Sequence, residues 1–506
     1  MGEDGPYPLN SYHPLSFVFS LILNLFPGCG VMSSIWLSNN ILLTCILRNH
    51  NLLFINHKTK NMENHKLNRR KFLRNSSLSV LGAGLLGEKS FANSLQDKDD
   101  EIPKIREYRT LGRTGFKVSD IGCGPARMTN ENLLKAVIDS GVNIIDTAEF
   151  YGNGNNEILV GKAIKGHDRK KLFINTKLRI AETDKQEDIV LRTRKCLERL
   201  NTEYLDGMML WNPSSAEAVK NKAFHRAFEQ LKREGRVKFC GISSHGSEHT
   251  EMNRENMEQI ICGAVEDGRF DHVLFVYNYV QREMGENILK SCAKKNVGTM
   301  LMKTDPLGKG YSELLTGVRK AQRENQPISD YTKKRYELII DKQKKAEQFL
   351  NNNPRFSKGT RTEAAVCFCL DNPAVSSVLI SFRAYEDIND YVVLSGKKLT
   401  SENLSIINAL KENCGFLYCR HACGKCEPSC PFEVPVNTIM RYNHYFIAQS
   451  REKYAIQQYN LLAGANAGSC SSCPGYCEQA CPYGVLTRPL LVMAHQNLSL
   501  DSPHYT

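Results

Sequence analysis

This 506-residue chain lacks, in its N-terminal part, the roughly 20 consecutive apolar residues that a bilayer-spanning helix requires. Its two apolar runs there, Leu15 to Phe26 and Ile35 to Leu47, are both short, and Ser38, Asn39 and Asn40 interrupt the second. The chain also lacks the charge-dominated composition of a disordered protein, with 41% hydrophobic and 24% charged residues. No G-x-G-x-x-G follows the first strand-like segment, which argues against a doubly wound dinucleotide-binding sheet. Acidic residues are the minority, 54 against 66 basic ones. The resulting charge of +12 resides partly in Lys66, Arg69, Arg70, Lys71 and Arg74, beside an apolar run. Targeting explains that cluster better than a nucleic-acid partner, and none is expected. The length suits one large domain and a smaller one.

The run Asn68-Arg69-Arg70-Lys71-Phe72-Leu73-Arg74 precedes a Gly-containing apolar stretch from Ser76 to Gly87, and Ser90-Phe91-Ala92 offers small residues for cleavage. That order is the pattern of a bacterial signal peptide, here over residues 62–92. Its paired arginines followed by Phe-Leu resemble the twin-arginine class, which exports proteins already folded around their cofactors. The expected destination is the periplasm or cell envelope, with the twin-arginine machinery as a partner. Residues 1–61 do not fit such a signal and read as an extension upstream of a true start at Met62, with a membrane hairpin as the alternative.

From Tyr108 onward, short β-branched runs alternate with stretches of helical period. Candidate strands are 118–124, 143–148, 171–177, 205–211, 238–243, 272–277, 298–303 and 377–382. Helical patterns lie between them at 131–140, 187–200, 223–234 and 362–370. Eight strands with intervening helices predict an α/β fold, a (β/α)8 TIM barrel, over residues 106–398. The connection 304–359 is long and lies on the catalytic side of such a barrel, as a lid, a docking surface or a plain helical excursion.

Several segments carry a resemblance. Tyr108-Arg109-Thr110-Leu111-Gly112-Arg113-Thr114-Gly115, then Gly141-Val142-Asn143-Ile144-Ile145-Asp146-Thr147-Ala148, Tyr151-Gly152 and Glu157, are similar to motifs of the aldo/keto reductases. Asn175-Thr176-Lys177, Tyr204-Leu205-Asp206 and Gly241-Ile242-Ser243 follow in the family's order. The barrel would bring Asp146, Tyr151 and Lys177 to its C-terminal mouth. A phenol there can donate a proton to a carbonyl, an ammonium stabilises the phenolate left behind, and a carboxylate holds the ammonium in place. The resemblance implies these roles for Tyr151, Lys177 and Asp146. It also implies a small carbonyl or alcohol substrate and NADPH, with Ser243 and Ser244 at the carboxamide and Ser381, Arg383 and Glu386 towards the phosphates and adenine. The sequence departs from the family at Trp211, where a His is usual, at Leu274, where a Gln is common, and at Tyr391, where an Asn closes the site. An indole donates one hydrogen bond and does not titrate, so His245 is a candidate replacement.

Nine of the 18 cysteines lie in the last fifth of the chain. Cys419-x3-Cys423-x2-Cys426-x3-Cys430-Pro431 recurs as Cys470-x2-Cys473-x3-Cys477-x3-Cys481-Pro482. Each run is one residue longer than the ferredoxin spacing and ends in the same Cys-Pro, which favours two 4Fe-4S clusters. Three thiolates of each run would hold one cluster, with the fourth commonly serving the other. Zinc and disulfides are the competing readings. Helical patterns at 438–445 and 452–462 make residues 410–495 similar to helical ferredoxin-like domains, a tail carried by some predicted aldo/keto reductases. Cys414 is a spare thiol that could substitute for Cys419, and Cys123, Cys240, Cys367 and Cys369 read as buried small hydrophobes. Two functions compete: an oxidoreductase working by hydride at the barrel and electrons at the clusters, or an inactive barrel serving as an electron-transfer or docking protein.

Replacing Arg69 and Arg70 together by Lys should retain the protein in the cytoplasm of a bacterial host, as read by fractionation. Unchanged export of the double variant would remove the twin-arginine reading.

Overall fold

The computed structural model describes residues 103–245, 255–306, 358–449, 451–462 and 464–500, with scattered positions between 341 and 355. The signal segment, the upstream extension and most of 304–359 lie outside the described residues, as does the side chain of Cys414.

The chain enters through a two-stranded hairpin, β1 (Tyr108–Thr110) and β2 (Lys117–Ser119). Eight parallel strands then close into a barrel: β3 (Ile121–Cys123), β4 (Ile144–Asp146), β5 (Phe173–Leu178), β6 (Leu205–Trp211), β7 (Val237–Ser244), β8 (His272–Val276), β9 (Gly298–Met302) and β10 (Ser377–Ile380). The sequence pattern locates all eight within a few residues. It errs at 118–124, where Asp120 divides one expected strand into the end of the hairpin and the start of the barrel. The Asp120 carboxylate accepts bonds from Ile121 N at 2.9 Å and Ser395 Oγ at 2.7 Å, and that anchor turns the backbone.

Around the strands run α1 (Glu131–Asp139), α2 (Asn155–Ile164), α3 (Gln186–Leu200), α4 (Lys222–Arg233), α5 (Met257–Asp267), α6 (Arg282–Lys294) and α7 (Lys358–Asp371), followed by the short α8 (Glu386–Val392). Three of their starts are set by asparagine caps. Asn130, Asn221 and Asn256 each accept a backbone N–H of the first turn of α1, α4 and α5. Strands buried on both faces read as continuous apolar runs, and β6 is buried at every position. The layer between strands and helices forms the main core, while Phe173, Met209, Leu274 and Met300 fill the barrel's interior. Leu111 and Val118 of the hairpin join that interior cluster. Gly112 permits the approach: its φ is +46°, and a Cβ there would collide with the backbone of Gly298. Cys123, Cys240, Cys367 and Cys369 are buried in the barrel layers, as expected of small hydrophobes.

The C-terminal region is helical: α9 (Ser401–Cys414), α10 (Val436–Gln449), α11 (Glu452–Asn460), the single turn α12 (Tyr476–Gln479) and α13 (Thr487–Leu498). It has its own small core, in which Val436, Ile439, Tyr442 and Tyr445 of α10 meet Ala455 and Tyr459 of α11 and Leu491 and Ala494 of α13.

The structure extends the cysteine repeat beyond its thiols. Cys419, Cys426 and Cys430 correspond at constant offset to Cys470, Cys477 and Cys481, and so do Glu427 to Glu478 and Asn437 to Arg488. After each Cys-Pro the backbone takes a positive φ, 53° at Glu433 and 62° at Gly484. A tight turn follows in both copies, from Val436 N to Val434 O and from Thr487 N to Val485 O, each 2.8 Å. Each copy then launches a helix, α10 or α13.

Candidate functional site

β4 ends at Asp146 and β5 carries Lys177 at its C-terminal end, so both side chains are delivered to one mouth of the barrel. Lys177 is 1% exposed and Asp146 4%. The ammonium donates to Asp146 Oδ2 at 2.7 Å, to Thr147 O at 2.7 Å and more loosely to Tyr151 Oη at 3.4 Å. Its three protons therefore have three acceptors. Burial opposes the Lys177 charge, but Asp146 and Tyr151 outweigh it and hold the lysine above its ordinary range. Tyr151 returns over the lysine because the turn Tyr151–Gly154 folds sharply: Gly152 and Asn153 take φ of 57° and 53°, and Tyr151 N bonds Ala148 O at 3.1 Å.

The motif residues around this trio are braces. Glu157 accepts from Thr176 Oγ1 at 2.5 Å and from Arg199 Nε at 2.6 Å. Thr147 Oγ1 donates to Asn156 Oδ1 at 2.7 Å, and Asn156 holds Pro125 O at 2.6 Å. These bonds tie the loops after β3 and β4 to the start of α2, and α2 in turn to β5 and α3.

Trp211, Ser243 and Leu274 stand side by side on β6, β7 and β8, fixed by the registers Trp211↔Ser243 and Ser243↔Leu274. Trp211 sits in an aromatic box, with the Phe150 ring at 4.4 Å, the His245 ring at 5.6 Å and the Arg179 guanidinium 4.5 Å over its face. The Ser243 and Ser244 hydroxyls are buried, and neither has a hydrogen-bond partner among the described residues. Ser381 Oγ donates to Gly124 O at 3.2 Å, while the Arg383 backbone is fixed by Asp387 at 2.6 Å.

These elements enclose a cavity of about 910 Å³. Asp146, Tyr151, Lys177, Trp211, Ser243, Ser381 and Arg383 all line it, together with His245 and Leu274. Ser244 and Glu386 do not: Ser244 is wholly buried, and Glu386, the first residue of α8, is outside the lining. Tyr391 packs on Phe382 at 6.1 Å, outside the lining.

Sequence reasoning missed the contribution of the C-terminal region. Tyr445 of α10, with Arg451 and Tyr454 at the start of α11, line the same cavity. Gln281 exchanges two 2.7 Å bonds with the His421 backbone, Met257 N donates to Ala422 O at 3.3 Å, and Lys303 Nζ meets His421 Nδ1 at 3.0 Å. Burial, with Arg441 and Lys303 nearby, pushes His421 well below the usual imidazole range, so its ring accepts the lysine proton. No local signal marks these contacts, which join residues more than a hundred positions apart. Arg179, two residues past Lys177, was within reach of the strand reading.

The eight expected cysteines fall into two sets. Cys419, Cys423, Cys426 and Cys481 line one small cavity. Cys470, Cys473 and Cys477 are electrostatic neighbours of one another and of Cys430. Each set thus combines three thiols of one run with the last of the other. Burial, then the neighbouring cysteines, pushes the Cys419 and Cys470 thiols up to about 12. Donors already face the sulfurs: Asn437 Nδ2 to Cys419 at 3.4 Å, Gly475 N to Cys473 at 3.3 Å and the Thr487 hydroxyl 3.3 Å from Cys477. The described cysteines are free thiols, and among the described residues no three His, Cys, Asp or Glu side chains are grouped to hold a metal ion.

Comparison with known proteins places this site in context. Residues 123–412 match the family described as the aldo/keto reductase family. A relative in Schizosaccharomyces pombe, named "Putative voltage-gated potassium channel subunit beta", is 36% identical over 160 residues, 28% of this chain and 46% of its own length. The chain thus spans about half the length of that relative. Among solved structures, an aldo-keto reductase of Bacillus halodurans is similar in its holo form, with 21% identity, 60% of this chain and 96% of that chain covered, and a TM-score of 0.43. Its apo form gives 22% identity, 60% and 95% coverage and a TM-score of 0.42.

Lys177→Met should strand the Asp146 carboxylate in a buried site and lower stability by about 3–5 kcal/mol, read by chemical denaturation. Adding Asp146→Asn should recover part of that loss; a double variant as unstable as the single one would mean that the pair is not the source of the cost.

Proposed function

From the membership of this chain in the aldo/keto reductase family, we propose that it is an NADPH-dependent oxidoreductase acting on carbonyl compounds, coupled to two 4Fe-4S clusters in its C-terminal region. The observation that carries the reading is the Tyr151–Lys177–Asp146 constellation opening on a 910 Å³ cavity. Bound NADPH would supply a hydride. The two unpartnered hydroxyls of Ser243 and Ser244 suit its carboxamide, and Ser381 and Arg383 suit its phosphates, whereas Glu386 lies off the cavity wall.

Tyr151 then donates its phenolic proton to the carbonyl oxygen as negative charge develops there. The Lys177 ammonium, already 3.4 Å from that phenol, stabilises the phenolate. Asp146 keeps the ammonium aimed and charged in a water-poor site. Trp211 closes the side of the cavity where the family usually has a His, and His245 stands behind it. The cluster reading is supported by the two sets of four thiols and the donors that face them. Clusters there would carry single electrons. Export by the twin-arginine route, to the periplasm or cell envelope, accords with a protein that must fold around such groups first, and a redox partner protein is expected.

A second reading keeps the barrel as a non-catalytic docking or electron-transfer scaffold. The packing of Trp211 between Phe150 and His245, where a titrating imidazole is usual, favours it.

Tyr151→Phe separates the two. On the enzyme reading it lowers NADPH-dependent carbonyl reduction by about 10²–10⁴-fold while NADPH binding persists; equal turnover by the variant would sink the mechanism, and wild-type protein unable to bind NADPH would leave the scaffold. Anaerobically purified protein should be brown and hold about eight irons per chain. Stoichiometric zinc without visible absorption would overturn the cluster assignment.

A further inference from the structure

The C-terminal region forms part of the wall of the cavity, and one of the three residues it places there is charged. Arg451 lies at the corner between α10 and α11, where its backbone N–H bonds Tyr445 O at 3.2 Å. Its guanidinium rests 3.9 Å from the Tyr454 ring centroid and 4.8 Å from that of Tyr445. All three side chains line the cavity that contains Tyr151 and Lys177.

The two ring centroids are 6.0 Å apart, so the guanidinium sits in the angle between neighbouring rings, in contacts that use its π-face rather than its N–H groups; its planar fork of donors matches a carboxylate or phosphate. Among the described residues no carboxylate pairs with Arg451. Other basic residues of the lining are neutralised: Lys177 by Asp146, Arg192 by Glu149 and Asp184, and Arg199 by Glu157. The lining holds eight basic residues against two acidic ones, with Glu157 and Asp184 behind the wall. Such a concave, partly desolvated positive field concentrates anions. The cofactor's phosphates are assigned to Ser381 and Arg383, beyond β10 and in a different part of the chain.

We infer that the preferred substrate is a carbonyl compound bearing its own anionic group, a carboxylate or phosphate, and that Arg451 of the C-terminal region holds that group while Tyr151 serves the carbonyl. The inference rests on the hydride-transfer reading above. It makes the tail a determinant of specificity: the family's barrel supplies the proton donor, and the added region selects what reaches it.

The test uses the full-length, cluster-loaded protein and two matched pairs of aldehydes, succinic semialdehyde with butanal and glyceraldehyde 3-phosphate with glyceraldehyde. The anionic member of at least one pair should have the higher kcat/KM, and the pair that shows it identifies carboxylate or phosphate. Arg451→Met should lower that anionic-to-neutral ratio by about 10- to 100-fold, with Arg451→Lys in between. Equal kcat/KM within both pairs overturns the proposal. So does a loss in Arg451→Met that leaves the ratio unchanged, which would make Arg451 a structural corner. A weakened NADPH Kd in Arg451→Met would assign the residue to the cofactor's phosphates and equally overturn it. If no aldehyde is reduced, the hydride reading fails separately. Calorimetry with succinate and with inorganic phosphate then decides the anion site: binding to wild type that is lost in Arg451→Met supports it, and absence of binding removes it.

Discussion

The ion pair between Lys177 and Asp146 is the constraint around which the mouth of this barrel is arranged. Two charges nearly sealed from water cost several kcal/mol each to bury, and only close geometry with full hydrogen bonding returns that cost. The protein satisfies the ammonium with Asp146 Oδ2, Thr147 O and the Tyr151 hydroxyl, one acceptor for each proton, while Asp146 Oδ1 is buried with no partner among the described residues. Those acceptors come from three consecutive features of one segment: the end of β4, the residue after it, and a turn with two positive φ values. The lysine comes from the neighbouring strand. A small shift of either strand would break the set, and the Glu157, Thr176, Arg199 and Asn156 bonds beneath it oppose such a shift. Bracing and chemistry are thus separate layers, which explains why a motif of this kind extends past the residues that touch substrate.

The C-terminal region repeats one unit twice, and the repetition has a physical purpose beyond spacing cysteines. In the first copy Asn437 reaches back to Cys419 Sγ and Arg420 O; in the second, Arg488 reaches back to Cys470 O at 3.1 Å and Ser471 O at 2.8 Å. Glu427 and Glu478 in turn accept the backbone N–H of Asn437 and Arg488. Each copy therefore locks the start of its cysteine run against the helix that follows its Cys-Pro. The side-chain chemistry differs between the copies while the role is kept. The first copy carries hydrogen bonds to the barrel through His421 and Ala422, and the second copy adds Val485, Leu486, Leu490 and Met493 to the barrel's main core, so both copies are tied to the barrel.

Much of this was legible in the residues. The strand count followed from β-branched runs, since strands buried on both faces leave no alternation to misread, and β6 was placed to the residue. Asp146, Tyr151 and Lys177 could be brought together because strand ends in a closed parallel barrel share one face. The break at Asp120 was not legible, because its cause is a bond to Ser395, far along the chain. Ser244 and Glu386 were named from position alone, and position does not say which way a side chain turns out of a loop or which wall of a cavity it joins. The cysteine sets could be anticipated from spacing, but their attachment to the mouth could not, since Gln281, Lys303 and Met257 carry no mark of a partner.

The substitution at Trp211 is best understood together with that attachment. A titrating imidazole at the end of β6 would contribute both a hydrogen bond and a variable charge near the reacting oxygen. The indole carries no charge and does not titrate, yet its face accepts the Arg179 guanidinium at 4.5 Å, and the Phe150 ring packs on it at 4.4 Å. The cation packed on the indole is therefore a permanent one, since an arginine stays protonated at any physiological pH. The same device appears across the cavity, where Tyr445 and Tyr454 hold Arg451. In both places an aromatic surface orients a permanent cation. The loss of the usual His is therefore accompanied by a rebuilt electrostatic environment, and only the part built by the tail is absent from a barrel of this kind standing alone.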